Sequence, residues 1–337
     1  MTILITGASG YVGRYTVAAA RARRHKVLAH VRRGNAALPE WRDDPDITVV
    51  MADLDNTDGA LAALLPGVDA IIHAAASLAG DDEQQQSDTL RANAALCDAV
   101  ATAAKAPRLV LVSSMSVYSG LDVAKGAMID ETAPLEKQPE MRDTYCRTKL
   151  EQEQQAGAAA EAAGFDLWIM RVGSVYGPTR LWNAHVGIAL GALYLRLAAR
   201  GQIPLIYVEH CAEMLIRAAE TPVREGANGK IEILNLVDDD LPDRIRFLNA
   251  VTMGGWPKVI LPLSWRVFAF LGSVLRLVPG LAGRLPGLFR TQVLHARMKP
   301  LAYSNKRMHQ RLDWNGRRDF ETAMAASLRG KAGDRDG

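Results

Sequence analysis

The sequence predicts an α/β fold: a doubly wound parallel sheet with a smaller, mostly helical lobe towards the C-terminus. Three observations carry this. Short apolar runs recur at residues 1–6, 26–31, 47–51, 68–73, 108–112 and 165–171, with the near-uniform hydrophobicity of strands buried on both faces. Longer stretches of helical character, several rich in alanine, separate most of them and suit crossover helices. Past residue 242 the chain turns helical, apolar and proline-punctuated.

The composition of the 337 residues, 49% hydrophobic and 23% charged, is that of an ordered globular chain. A net charge of +3 gives no reason to expect a nucleic-acid partner. Cys97, Cys146 and Cys211 are far apart and have no metal-ligand spacing, so no metal is expected and the thiols read as reduced, in a cytoplasmic protein. No signal peptide is expected before the first strand. No stretch reaches the roughly 20 apolar residues of a membrane span.

Taken in order, Met1-Thr-Ile-Leu-Ile-Thr6 runs into Gly7-Ala-Ser-Gly10-Tyr-Val-Gly13, and residues 14–24 read as a helix. Strand, glycine turn and helix in that order make a Rossmann-type dinucleotide cradle. Gly7 permits the tight turn, Gly10 admits a pyrophosphate, and Gly13 lets the helix pack close. Ser9, Tyr11 and Val12 complete the cradle, where the first amides of the helix offer a positive end to phosphate.

The second strand, 26–31, ends at Arg32-Arg33-Gly34. An acidic residue here would bind the ribose 2′-OH of NAD, whereas a guanidinium suits a 2′-phosphate. Arg32 and Arg33 therefore point to NADP(H), with NAD(H) the alternative if both are merely solvated. After the third strand, 47–51, Asp53 is placed to receive the adenine amino group, with Leu54 beside it. Residues 61–65 lie in a helix, and 68–76 are the fourth strand and its exit. Ala74, Ala75 and Ala76 leave room for a flat cofactor. His73 reads as a packed strand-end histidine rather than a base.

Residues 77–88 are polar, and 90–104 form an alanine-rich helix carrying Asn93. The fifth strand, 108–112, delivers Ser113-Ser-Met-Ser116 to the sheet edge where open α/β folds hold ligands. An irregular segment, 117–141, covers one side of the cleft. Thr144-Tyr-Cys-Arg-Thr-Lys149 opens a helix that runs to 161, and 165–171 is the sixth strand. Residues 184–200 then read as a helix, 203–208 as a short strand feeding a helix at 209–220, and 230–236 as a strand. A basic element at 307–318 and a helix at 319–328 precede a mobile tail, 331–337. Residues 1–178, joined by about 203–236, make the dinucleotide-binding domain. Residues 179–202 and 237–330 make the substrate lobe.

Tyr145 and Lys149 are four apart and share a helix face. A tyrosine hydroxyl titrates near 10, and a lysine ammonium one turn away is expected to lower that value. Ser114 at the strand end would hold a substrate oxygen while Tyr145 moves the proton and a nicotinamide exchanges hydride.

With these residues in place the chain resembles the extended short-chain dehydrogenases/reductases of the NAD(P)-dependent epimerase/dehydratase superfamily. The resemblance rests on Thr6–Gly13, Asp53-Leu54, Ile72-His-Ala-Ala75, Asn93, Ser113-Ser-Met-Ser-Val-Tyr118, Tyr145-Cys-Arg-Thr-Lys149 and Arg171-Val-Gly-Ser-Val-Tyr-Gly-Pro178. Tyr207-Val-Glu-His-Cys-Ala212 matches more weakly. The match covers about the first two-thirds of the chain. It implies Ser114, Tyr145 and Lys149 as the catalytic triad, with Asn93 supporting the site through a water or backbone contact. It also implies Val172, Gly173 and Ser174 near the nicotinamide amide.

Departures from the family narrow the chemistry. Ser114-Met-Ser116 stands where nucleotide-sugar dehydratases carry Thr-Asp-Glu, and residues 201–206, just before Tyr207, hold no arginine to grip a diphosphate, which leaves Arg180, Arg196 or Arg200 as the substitutes. The C-terminal third looks more like the 3β-hydroxysteroid dehydrogenase and dihydroflavonol reductase branches. The expected activity is interconversion of a secondary alcohol and ketone on a fairly apolar small molecule. A nucleotide-sugar 4-epimerase or 4-ketoreductase is the alternative, and a non-catalytic NADP-sensing protein a third reading. The apolar segment 259–289 reads as a pocket lining, as a membrane-surface contact, or as a core helix of the lobe. The helices at 90–104 and 145–161 are alanine-rich enough to pair two subunits, so a homodimer is expected.

Overall fold

The computed structural model describes residues 1–32, 37–54, 60–75, 83–181, 183–226, 229–275, 289–314 and 318–333. The N-terminal part alternates strand and helix. It comprises β1 (Thr2–Thr6), α1 (Tyr11–Ala22), β2 (Lys26–Val31), β3 (Ile47–Met51), α2 (Ala60–Leu64), β4 (Ala70–His73), α3 (Glu83–Thr102) and β5 (Arg108–Ser114). After β6 (Met128–Ile129) come α4 (Thr144–Ala163) and β7 (Leu167–Val172). Then follow β8 (Ser174–Tyr176), β9 (Gly187–Leu190), β10 (Leu193–Arg196), β11 (Leu205–Tyr207), α5 (Val208–Glu220) and β12 (Ile231–Leu236). The last stretch holds α6 (Arg244–Thr252), β13 (Val259–Pro262), α7 (Trp265–Leu275), α8 (Thr291–Met298), β14 (Ala302–Tyr303), α9 (Lys306–Leu312) and α10 (Phe320–Gly333).

Seven parallel strands form the central sheet in the order β12-β7-β5-β4-β1-β2-β3. Ile3, Leu4 and Ile5 of β1 are wholly buried, and every residue of β7 is buried. These runs are apolar throughout because helices cover both faces of the sheet. One core joins the sheet to α1 and α5, and a second joins its other face to the helices α2, α3 and α4. A third core, containing Tyr194, Phe247 and Phe320, lies under the later elements.

The expected helix at 184–200 is wrong. The chain forms an antiparallel hairpin there, β9 with β10, joined by parallel pairing to β13. The error has a physical source. Leu, Ala and Ile fill both faces of the stretch, so no alternation of polar and apolar residues marks the strands. Tyr194 is buried on one side of β10 while Leu193 and Leu195 pair with Val259 and Leu261 on the other. The helix expected from residue 90 begins earlier, at Glu83. Among the described residues no helix is long and apolar enough to cross a membrane.

Candidate active site

The chain steps outward from β1 to β2 and β3, then returns across the sheet to β4 and β5. The reversal leaves a crevice beyond the C-terminal ends of β1 and β4, the usual ligand position of such sheets. The glycine turn fills it. Gly7 has φ +67°, and a Cβ there would lie 2.9 Å from the backbone of Ala75. The Gly10 amide donates to the Gly7 carbonyl at 2.9 Å. A Cβ on Gly13 would come within 2.1 Å of that same carbonyl, so Gly13 packs the helix against the turn itself. No side chain caps α1, and its first turn holds no acid. A side-chain-free turn at an uncapped helix start fits a pyrophosphate.

The other expected cofactor contacts fall around this turn. Ser9 is half-buried within it. Tyr11 donates from its hydroxyl to the Pro178 carbonyl at 3.0 Å, and Val12 and Ala74 line the main cavity. Ala75 is half-buried beside Gly7, Arg32 is exposed at the end of β2, and Asp53 is exposed past β3. Leu54 is buried in the core on the α2–α3 side. Arg33 and Ala76 lie outside the described residues.

Ser114 ends β5 opposite Val172 of β7. Its Oγ accepts from the Ser116 amide at 3.2 Å, which starts a tight turn. Asp143 caps α4 by accepting from the Cys146 amide at 2.9 Å, which sets Tyr145 in the first turn. The Tyr145 and Ser114 side chains line the same cavity, and Ser114 acts on the Tyr145 hydroxyl. Lys149 follows one turn later, 6.0 Å from the Tyr145 ring, and donates to the Val112 carbonyl at 2.7 Å. Burial lowers the Lys149 ammonium to about 8, against the opposing pull of Glu153. The expectation that Lys149 lowers Tyr145 is not met. Burial raises the Tyr145 hydroxyl above the ordinary tyrosine range, opposed by the Ser114 side chain. The ammonium is aimed at a backbone carbonyl rather than at the phenol.

Asn93 does not line the cavity. Its Nδ2 donates to Gln155 Oε1 at 2.8 Å and reaches the Gln152 carbonyl at 3.5 Å, which ties α3 to the helix bearing Tyr145. His73 is packed, as expected: its Nδ1 meets Thr6 Oγ1 at 2.8 Å, and burial pulls its pKa down to about 3.

Ser113, Tyr118 and Arg171 of the family motifs join Glu153 and Asn235, which are not singled out from sequence, in a buried polar net behind the site. Glu153 accepts from Ser113 Oγ at 2.5 Å and from Arg171 Nη2 at 2.8 Å. Arg171 also donates to the Tyr118 hydroxyl at 3.1 Å, which donates to Asn235 at 2.6 Å. Glu153 stands four residues past Lys149 on the same face of α4, a spacing the sequence does display. The net grips the ends of β5, α4, β7 and β12 from below. His185, Arg297 and Tyr303 also reach the cavity, and no local pattern marks them because tertiary approach alone brings them there. Burial, then Arg244 and Arg297, lower His185 to about 3 and keep it neutral.

The cavity holds about 580 Å³ and takes in Ser114, Tyr145, Lys149, Val172, Gly173 and Ser174. Its outer wall comes from Leu181, His185, Ala296 and Tyr303. Among the described residues no group of side chains could hold a metal ion. The model for the NAD dependent epimerase/dehydratase family matches residues 3–233. The chain belongs to that family.

Cinnamoyl-CoA reductase 1 of Arabidopsis thaliana is 29% identical over 185 residues, 52% of this chain and 53% of that protein. The match thus spans about half the length of the plant reductase. A 3-diazoavenalumate denitrifying reductase of a Streptomyces species is 28% identical over 329 residues, covering 93% of this chain and 95% of the relative. Among solved structures, MoeE5 in complex with UDP-glucose and NAD superposes with a TM-score of 0.71 at 18% identity, over 99% of this chain and 100% of the other. That likeness shows the shared fold.

Proposed function

We propose that this chain is an NAD(P)-dependent oxidoreductase, which interconverts a secondary alcohol and a ketone on a fairly apolar small molecule. One observation carries the reading: a hydroxyl pair, Ser114 and Tyr145, lines one cavity beside the dinucleotide turn, with Lys149 one turn behind. Two relatives named as reductases support the redox direction. UDP-sugars bound to the fold neighbours support the alternative, a nucleotide-sugar 4-epimerase or 4-ketoreductase. Leu181, Ala296, Leu301 and Tyr303 on the outer wall favour the apolar substrate, while Arg180, His185 and Arg297 on the same lining are what a diphosphate would use.

The dinucleotide would lie along the Gly7–Gly13 turn, with Val172, Gly173 and Ser174 near its nicotinamide end. When bound, it supplies or takes up the hydride. Ser114 and Tyr145 then both donate to the substrate oxygen. Tyr145 gives its proton to the oxygen on reduction and takes one on oxidation. Burial keeps the phenol protonated at neutral pH, the form that reduction requires. Lys149, titrating near 8, can hold the cofactor ribose and return a proton to Tyr145. Asn93 acts through α4, as a positioning residue.

Arg32 selects NADP(H) in this reading, since an exposed guanidinium beyond β2 is placed for a 2′-phosphate. Residues 1–178 with about 203–236 form the cofactor domain, and 179–202 with 237–330 the substrate lobe. The three buried cysteines fit a cytoplasmic location. A homodimer would use α3 and α4, whose outer sides form a shallow groove that includes Leu90, Ala94 and Gln155.

Analysis of the cofactor that co-purifies, followed by titration with NADPH and NADH, tests the proposal. The expected result is weak, exchangeable binding with NADPH preferred about tenfold, and loss of that preference in Arg32→Asp. Tightly retained NAD would overturn the reductase reading in favour of an epimerase.

A further inference from the structure

Helix α7 carries two apolar stripes, and the chain covers one of them. Trp265, Phe268, Ala269 and Gly272 follow one another at spacings of three, one and three, so they share a face. This face packs inward. Trp265, Phe268 and Ala269 lie against Leu197, Leu294 and Met298, and the Trp265 ring meets His295 at 5.0 Å. Gly272 is buried where a Cβ would come within 2.0 Å of the Phe289 carbonyl. That contact sets α7 down on the start of α8.

Val267, Phe270, Leu271 and Val274 repeat the same spacing on another face. They are 46%, 68%, 43% and 46% exposed. The strand before the helix adds Val259, Leu261 and Leu263, also exposed, and Leu190 of the same small sheet is exposed too. A core helix would have buried this second stripe, so the expectation of a core helix fails for the described part of the segment. Residues 276–288 lie outside the described residues.

The sequence stretch that carries the stripe is charged with one sign. Between Arg244 and Leu312 the sequence holds twelve lysines and arginines and no aspartate or glutamate. Some of these cations are engaged: Arg297 pairs with Asp143, and Arg311 with Glu232. Lys258 and Arg266, which flank the exposed set, are exposed and have no acidic partner among the described residues.

We propose that the outer face of α7, with the neighbouring edge of β13, docks on an anionic lipid surface. Exposed apolar side chains that enter the acyl boundary, rimmed by cations that meet acidic headgroups, are the composition of an interfacial helix. A second copy of this chain is a poorer occupant. Two-fold pairing of this face would bring two rims of the same positive sign together, and no acid between Arg244 and Leu312 offsets the repulsion. Docking places the cavity one helix layer from the bilayer, because α8 packs beneath α7 and contributes Ala296 and Arg297 to the cavity wall. The proposal concerns the surface alone and stands whatever the reaction.

Vesicle flotation tests it, with phosphatidylcholine alone and with phosphatidylcholine mixed with phosphatidylglycerol. The full chain is expected to float with the mixed vesicles and to remain behind with the neutral ones. Phe270→Asp should weaken binding about tenfold or more, since it removes an exposed aromatic that would enter the acyl boundary and adds a repelled charge. Arg266→Gln should weaken it roughly fivefold, and added salt should do the same. Both residues are exposed, so melting temperature and NADPH binding should stay at the wild-type value. Equal behaviour of wild type and Phe270→Asp on mixed vesicles would overturn the proposal. So would a fall in oligomeric state caused by Phe270→Asp in the absence of lipid, which would assign the face to a second copy.

Discussion

The two walls of the cavity are built by opposite means. The inner wall is set by backbone, namely strand ends, a glycine turn and an uncapped helix start, and Ser114, Tyr145 and Lys149 project into the cavity beside it. The outer wall is made of side chains whose own backbone comes from separate segments, and a single arginine joins those segments. Arg244 is fully buried and donates to the carbonyls of His185, Arg200, Gly201 and Arg297. The inner wall therefore resists change only where a Cβ would collide. The outer wall depends on one cation held without an acidic neighbour in hydrogen-bond contact. A conserved chemistry on one side and an adjustable substrate on the other is what such a division allows.

Arg244→Met should have the largest effect on the contrast. It leaves four carbonyls without their shared donor and is expected to cost about 3–5 kcal/mol in urea denaturation. NADPH affinity of the folded fraction should change by less than about threefold, since the inner wall is untouched. Equal loss of cofactor binding would show that the two walls are one unit. Gly13→Val comes next. Its Cβ would displace the Gly7 carbonyl, so NADPH affinity measured by fluorescence titration should fall roughly a hundredfold. Stability should fall less than in Arg244→Met. Smallest is the change at Arg32, about tenfold and confined to the choice between the two dinucleotides.

The same division explains what could be read in advance. The central strands were legible because parallel strands covered on both faces are mostly apolar, as in β1 and β4, and the turn was legible because only glycine meets its demands at residues 7 and 13. Tyr145 and Lys149 were legible because one helix carries both. The 184–200 hairpin was not, because its two faces are equally apolar and the period of two is lost. Arg244, His185 and Arg297 were not, because their partners lie 43 or more residues away or on other elements. Glu153 was within reach of the helix spacing, yet its partner Arg171 arrives from β7 and shows only in three dimensions. The direction of the Tyr145 shift was also hidden. Spacing places Lys149 near the phenol but says nothing of the Val112 carbonyl that accepts its hydrogen bond.

The central claim is that Tyr145 moves the proton in a redox reaction that the inner wall supports. Comparing turnover and NADPH affinity in wild type and Tyr145→Phe, on the best substrate from a panel of apolar ketones, tests it most directly. Turnover is predicted to fall about a hundredfold or more, with NADPH affinity within about twofold of wild type, because the hydroxyl serves the substrate oxygen and the turn holds the dinucleotide. Turnover within about twofold of wild type would contradict the account.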